Sequence, residues 1–168
     1  MPIYYPGSNS ADGRIVQIVG SRITGGVTSS SSTFVNTGIT KAITTKEAGS
    51  QIICVAMMAL DAAADGIYSR VKFCWTRTIS GGGNTNTFMC SGTEAFGAYL
   101  GSHGSGHMRF YGNVPHIIFD PQSLTGTIAA GATVTYNCQA KCESHNNQDF
   151  RVNYGGADSF IYIMEVAS

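Results

Sequence analysis

The chain has 168 residues, with ten basic and ten acidic side chains that give a formal net charge of zero. That balance excludes the basic footprint of a nucleic-acid-binding domain, and the longest apolar stretch, residues 52–60, is too short to span a bilayer. Charged residues make up only 12% of the chain, about half the usual share. So little charge favours a protein whose surface is largely covered, by copies of itself or by a larger assembly.

Residues 1–26 are predicted to form an extended N-terminal arm and the first strand, with the strand at residues 14–23. The opening MPIYYPGSNSADGR has no alternating pattern and lacks the basic and apolar regions of a secretory signal. Residues 27–168 are predicted to form one domain, because short β-rich runs alternate there with Gly, Ser, Thr and Asn. Its short strands are predicted at residues 33–36, 41–45, 87–90, 95–100, 108–111 and 116–119.

The segment at residues 51–64, QIICVAMMALDAAA, gives conflicting signals. Its Ala, Met and Leu residues favour a helix by intrinsic propensity. The segments on both sides have strand patterns, and tertiary context often overrides propensity, so we predict a strand.

Three later segments have the clearest strand patterns. Apolar and polar residues alternate through residues 67–79 and again through residues 133–142, which predicts one buried and one solvated face. Ala130 and Gly131 predict a turn before the second of these strands. The last segment, Ser159–Val166, is apolar on both faces. It is therefore predicted to be a central strand covered on both sides, by a second sheet or by a neighbouring subunit.

No catalytic residue, cofactor or metal is predicted, and the protein is not expected to be an enzyme. Ser105 lies between His103 and His107, but there is no G-x-S-x-G elbow, and a triad is defined by geometry rather than adjacency. The spacing of the two histidines could chelate zinc on a helix, yet the glycines of GSHGSGHM disfavour a helix. One histidine per subunit around a threefold axis stays an alternative route to a metal site.

The five cysteines are odd in number and form no CxxC pair, which predicts reduced thiols. Cys138 and Cys142 share one strand face and are predicted to fill the core. Asp61 and Asp65 lack the ligand spacing of an EF-hand, so a polar hairpin tip is predicted there.

Residues 81–83 are three glycines without the Lys-Ser or Lys-Thr of a phosphate loop, and they predict a hairpin turn. Trp75 lies in the middle of a strand on its apolar face and is predicted to be in the core. Tyr99, Tyr111 and Tyr154 stay open as sugar-binding candidates, because tyrosine combines an apolar ring with a polar tip.

Several stretches resemble a recurring domain of bacteriophage virion proteins. They are STFVNTGITKAIT at residues 32–44, SQIICVAMMALDAAADGIYSRVKF at 50–73, GTIAAGATVTYNCQAKCES at 126–144 and FRVNYGGADSFIYIMEVAS at 150–168. The resemblance covers about residues 27–168. It implies an all-β fold, an antiparallel jelly-roll β-sandwich that forms a homotrimer in the manner of tumour-necrosis-factor and complement globular domains.

The resemblance implies a capsid decoration (cement) protein located in the virion, because this domain makes up nearly the whole chain here. The expected partners are the protein itself and the major capsid protein or another virion protein, with no nucleic acid and no membrane. An arm bearing Tyr4, Tyr5 and Arg14 is expected to contact the capsid. Phe160, Tyr162 and Met164 are expected in the trimer seam or the core. The alternative is a tail-fibre or appendage tip that binds a host receptor or glycan through loops such as residues 101–106.

Overall fold

The computed structural model describes residues 13–65, 69–80, 87–88, 96–100, 107–120, 128–143 and 149–167. Within these residues the chain is all-β, with two antiparallel sheets, and no described helix is long and apolar enough to cross a membrane. The strands are β1 (Ile15–Ile23), β2 (Val27–Ser29), β3 (Val35–Thr44), β4 (Gln51–Asp65), β5 (Ser69–Ser80), β6 (Thr87–Phe88), β7 (Phe96–Leu100), β8 (His107–Phe119), β9 (Thr133–Glu143), β10 (Asp149–Val152) and β11 (Ser159–Val166).

Sheet I is built around β4, the longest of the described strands. β8 pairs with β4 along one edge, and β11 and β10 pair with successive halves of its other edge. β1 lies beside β11, and β2 lies beside β10. In sheet II, β9 lies between β3 and β5, and the far edge of β5 pairs with β6 and β7.

The strand pairs are nested along the chain. β1 pairs with β11, β3 with β9, β4 with β8 and β5 with β7. Such nesting is what results when one long hairpin folds over on itself and its strands are distributed between two sheets. The described strands change sheet six times along the chain, between β2 and β3, β3 and β4, β4 and β5, β7 and β8, β8 and β9, and β9 and β10.

The alternation predicted for residues 133–142 is confirmed in β9, and that predicted for residues 67–79 is confirmed in β5 as a strand with Val71, Phe73, Trp75 and Ile79 buried. Residues 67 and 68 lie outside the described residues. Every second side chain of β9, from Val134 to Cys142, is buried, while the residues between them are half-buried. The predicted turn at Ala130 and Gly131 is present, with Gly131 at a φ of 79°, a left-handed conformation that glycine adopts without a steric penalty.

The strand prediction for residues 51–64 is confirmed by β4. The helical propensity of this segment is overridden because both edges of β4 are hydrogen-bonded to other strands. Its even-numbered side chains from Ile52 to Leu60 are also buried. Two pairs of predicted short strands merge into single long strands, β3 and β8. Pro115 lies inside β8, where β4 is the only partner strand among the described residues, so the missing N–H disrupts no second ladder. β2 and β10 were not predicted.

One hydrophobic core lies between the sheets. Trp75 is fully buried in it, as predicted, and Cys138 and Cys142 are also buried there and form no disulfide. Cys54 and Cys74 are also buried and form no disulfide, in agreement with the predicted reduced state, and Cys90 lies outside the described residues. Sheet II contributes Ile39, Ile43, Val71, Phe73, Trp75, Val134 and Tyr136, and sheet I contributes Ile52, Cys54, Met58, Phe150, Ile161 and Ile163.

Glu165 fastens the connection between β3 and β4 to the last strand. Its fully buried carboxylate accepts hydrogen bonds from the backbone N–H groups of Lys46 (2.9 Å) and Glu47 (3.0 Å) and from the side-chain amide of Gln17 (2.5 Å). Burial alone would raise the pKa of Glu165, but these bonds and one from the Ser50 hydroxyl outweigh it and lower the pKa below 4.5. The carboxylate therefore stays charged and holds the connection in place.

Replacing Glu165 with Ala should destabilise the fold by about 3 kcal/mol, because three part-buried donors lose their shared acceptor. Urea unfolding at pH 7.5 measures this loss. The matched control is Glu47→Ala, which removes an exposed ion pair with Arg14 and should cost less than about 1 kcal/mol. Equal losses for the two variants would contradict the anchoring role of Glu165.

Candidate assembly face

The outer face of sheet I is apolar across four strands. Twelve positions from β1, β11, β4 and β8 lie directly opposite one another in three rows, and we call this set the apolar face. The first row is Ile18, Met164, Ile53 and Phe119; the second is Gly20, Tyr162, Val55 and Ile117; the third is Arg22, Phe160, Met57 and Pro115.

Several side chains of the apolar face are exposed to an unusual degree for large hydrophobic groups. Ile117 is 61% exposed, Ile18 55%, Phe119 51% and Tyr162 49%. Among the described side chains, every exposed large hydrophobic residue lies on β1, β4, β8 or β11. The exposed apolar surface is therefore concentrated on one sheet rather than scattered.

The apolar face carries almost no net charge. Arg22, at one corner, is the single charged residue among the twelve positions, and its Nε donates to Asp158 Oδ2 at 2.6 Å. Because that charge is already balanced within the chain, a second apolar surface can cover the face without leaving an unpaired charge buried.

The size of the apolar face can be estimated from strand geometry. Four strands and three rows cover roughly 400 Å² at ordinary strand and residue spacings. The largest apolar patch on a typical monomer is about this size, and such patches are often functional. A standard interface buries about 800 Å² per partner, so the apolar face has the dimensions of an interface centre.

The outer face of sheet II has a different character. It is lined by hydroxyl and amide side chains, and these bond to one another: Asn36 Oδ1 accepts from Asn137 Nδ2 at 2.7 Å and from Gln139 Nε2 at 3.1 Å, and the Thr44 and Thr133 hydroxyls are 3.1 Å apart. Such a surface is well solvated. Judged from the described side chains, the outer face of sheet I would gain more stability from being covered than these parts of β3 and β9.

The structure places Phe160, Tyr162 and Met164 on the apolar face and not between the sheets. The core positions of β11 are instead Ile161 and Ile163. The last strand is central, as predicted, since β1 and β4 flank it. Its inner side is covered by sheet II, whereas the outer sides of Phe160 and Tyr162 are exposed in the single chain.

Sequence reasoning missed the contributions of β4 and β8 to the apolar face. The sequence of residues 116–119 already has large apolar residues at both odd and even positions. In the structure His116 and Ile118 are buried, while Ile117 and Phe119 are exposed. A strand with large apolar residues on its outer side as well as its inner side is typical of a sheet covered on both faces.

The predicted capsid-contact arm is described only at its end. Tyr4 and Tyr5 lie outside the described residues. Arg14 lies just before β1, where its Nη2 donates to Glu47 Oε1 at 2.8 Å and its backbone oxygen accepts from Ala167 N–H at 2.9 Å. Arg14 is therefore held between the connection of β3 to β4 and the residue that follows β11.

Other sequence candidates are not brought together into a site. The hairpin tip predicted at Asp61 is wrong: Asp61 lies inside β4 and is buried, and β4 and β5 belong to different sheets. His107 begins β8, while His103, Ser105 and residues 81–83 lie outside the described residues, as do the side chains of Tyr99, Tyr111 and Tyr154. Within the described part of the chain, no three His, Cys, Asp or Glu residues cluster as metal ligands.

Polar groups that the sequence analysis did not find lie inside the sandwich. Asp120, directly after β8, forms a buried ion pair with Arg77 of β5 and accepts a 2.5 Å hydrogen bond from the Tyr136 hydroxyl of β9. Nearby on β8, the Nδ1 of His116 accepts from Trp75 Nε1 at 3.1 Å. These contacts join the end of β8 to sheet II, which fixes the strand that supplies Ile117 and Phe119.

His116 should make the fold sensitive to acid. Burial lowers the pKa of His116 from 6.5 to about 4, so the unfolded chain takes up a proton in this range while the folded chain does not. The contribution of His116 to the free energy of unfolding is therefore fully present above about pH 6.5. It is lost as the pH falls towards 4, which lowers the free energy of unfolding by roughly 2–3 kcal/mol between pH 7.5 and pH 4.5.

Urea unfolding across this pH range tests the contribution of His116. The control is His116→Gln, whose amide oxygen can accept the Trp75 N–H but does not titrate. This variant should lose that part of the pH dependence. An unchanged slope would show that the acid sensitivity arises elsewhere.

Comparisons with known proteins add little to this picture. No protein-family model matches the chain, and no curated protein matches it. Among solved structures, the chain is similar to a chain in the structure of infectious bursal disease virus, Gx strain, with 10% sequence identity and a TM-score of 0.35. The match covers all of this chain and 42% of the other, so this chain spans less than half the length of that viral chain.

Proposed function

We propose that the protein is a structural component of a virion that self-associates through the apolar face as a homotrimer and performs no catalysis. The observation that carries this proposal is the apolar face itself, a continuous exposed surface with one charged residue in twelve positions. Its role is mechanical, since what the face offers is contact area rather than reactive groups.

The nested strand pairs support a jelly roll as the fold of this subunit. A jelly roll is a long hairpin wrapped so that its strands divide between two packed sheets. Pairing of β1 with β11, β3 with β9, β4 with β8 and β5 with β7 is the order that this wrapping produces. A rigid sandwich of this kind holds the apolar face in a fixed shape.

A second copy of the same chain is the partner that the charges favour. Two copies present the same neutral surface, so neither brings a like charge against the other, and the Arg22–Asp158 pair keeps the corner balanced. Charged residues make up only 12% of the chain, which is consistent with a protein that functions within an assembly.

The resemblance of residues 32–44, 50–73, 126–144 and 150–168 to phage virion proteins supports a place on the virion. We propose a capsid decoration trimer that bridges shell subunits, with the arm that carries Tyr4 and Tyr5 contacting the shell. Three arms on one trimer bind more tightly than one, because the second and third contacts are intramolecular. Many modest contacts of this kind strengthen a shell without chemistry.

Light scattering of the purified protein tests the self-association. The wild type should have a mass of about 53 kDa, three times the 17.7 kDa of one chain. Ile117→Lys places a charge in the middle row of the apolar face and should give monomers, because burying that charge costs several kcal/mol. Ala42→Lys, on the exposed outer face of sheet II, is the matched control and should stay trimeric. A monomeric wild type would contradict the proposal.

Deleting residues 1–13 should leave a folded trimer that no longer co-sediments with shells lacking this protein. The reason is that the deletion removes Tyr4 and Tyr5 but leaves the apolar face intact. Normal shell binding by the truncated trimer would rule out the arm as the anchor. A full-length trimer that ignores shells but binds a host glycan on an array would favour the tail-fibre tip instead.

A further inference from the structure

Tyr162 lies opposite the one glycine of the apolar face. Gly20 of β1 and Tyr162 of β11 are direct cross-strand partners. A Cβ atom placed on Gly20 would lie 2.4 Å from Tyr162 Cδ1 and 2.6 Å from Cε1, distances that real contacts do not allow. The Cδ1–Cε1 edge of the aromatic ring therefore lies at Gly20, in the space that any other residue at position 20 would fill.

This arrangement fixes the ring on one side and leaves it open on the other. Glycine within a strand often marks a close approach of another group, and an aromatic side chain that covers a cross-strand glycine stabilises the pair. Tyr162 nevertheless remains 49% exposed. The second surface of the ring is thus available to a partner and is already held in position, so binding need not order it.

The ring also determines the shape of the middle row. Because Tyr162 leans towards β1, it leans away from its other cross-strand partner, Val55, which pairs in turn with Ile117. The middle of the apolar face is therefore bounded by a fixed aromatic ring at β1 and by the exposed Ile117 at β8. A tyrosine fixed near the middle of an interface is typical of the few residues that dominate binding energy.

We propose that Gly20 is a positioning residue that presets Tyr162 as the main contact of the apolar face with a second copy of this chain. This inference rests on the proposed self-association and adds the pair of residues on which its strength depends. Without Gly20 the ring must move from this position, and the surface that a second copy meets changes.

The test is the dissociation constant of self-association, measured by sedimentation over a dilution series. Gly20→Ala should weaken association at least about tenfold, the effect expected when a dominant interface contact is misplaced. The matched control is Gly25→Ala, since a Cβ on Gly25 meets nothing within 4 Å, and it should change association by less than about twofold. An equal effect of both substitutions would overturn the proposal.

A double substitution separates ring displacement from damage to β1. In a Tyr162→Ala background there is no ring to displace, so Gly20→Ala should have no further effect on association. If Gly20→Ala weakens both backgrounds equally, the glycine acts through the strand and the proposal fails.

Failure of the inference and failure of the proposed function are distinguishable. A wild type that is monomeric at every concentration contradicts self-association itself. A wild type that associates and is unaffected by Gly20→Ala contradicts only the positioning role. The position of the ring is tested separately by proton NMR: the ring current should shift the Gly20 α-protons in the wild type, and they should return to ordinary values in Tyr162→Ala. Unshifted protons in the wild type would contradict the close approach of the ring to Gly20.

Discussion

The double pairing of β4 is the constraint on which the rest of the structure depends. β4 is hydrogen-bonded along one edge to β8 and along the other to β11 and β10. Successive side chains of a strand point to opposite faces, so its even-numbered residues enter the core and its odd-numbered residues, Ile53, Val55 and Met57, lie on the outer face. A shift of β4 by one residue would exchange these two sets.

The two apolar surfaces of sheet I are kept distinct by polar groups that face inwards. Glu165 follows Ile161 and Ile163 on the inner side of β11, and His116 precedes Ile118 on the inner side of β8. Each makes a specific hydrogen bond that a strand flipped by one residue could not make. Because β11 is apolar on both faces, hydrophobicity alone does not decide which face is buried. The buried polar contacts decide it. That role for buried polar groups accounts for their presence in spite of their desolvation cost.

Local patterns were sufficient to predict most of the strands, because an alternation of period two is visible in the chain itself. They also placed Trp75, Cys138 and Cys142 in the core. They could not predict Arg77 as a buried residue, since its partner Asp120 is 43 positions away and an isolated Arg is expected at the surface. The rows of the apolar face could not be predicted for the same reason. They join residues of β1, β11, β4 and β8, and the pairing of Gly20 with Tyr162 is set only in the folded sheet.

β8 connects the interior of the subunit with its outer surface. His116 ties the strand to Trp75 of sheet II, while the neighbouring Ile117 and Phe119 form one side of the apolar face. A partner that covers Ile117 and Phe119 therefore also stabilises the strand that holds His116 in the core, because a ligand that binds only the folded state raises its stability. In an assembly formed through the apolar face, folding and association are linked, and the stability of each subunit rises with its concentration.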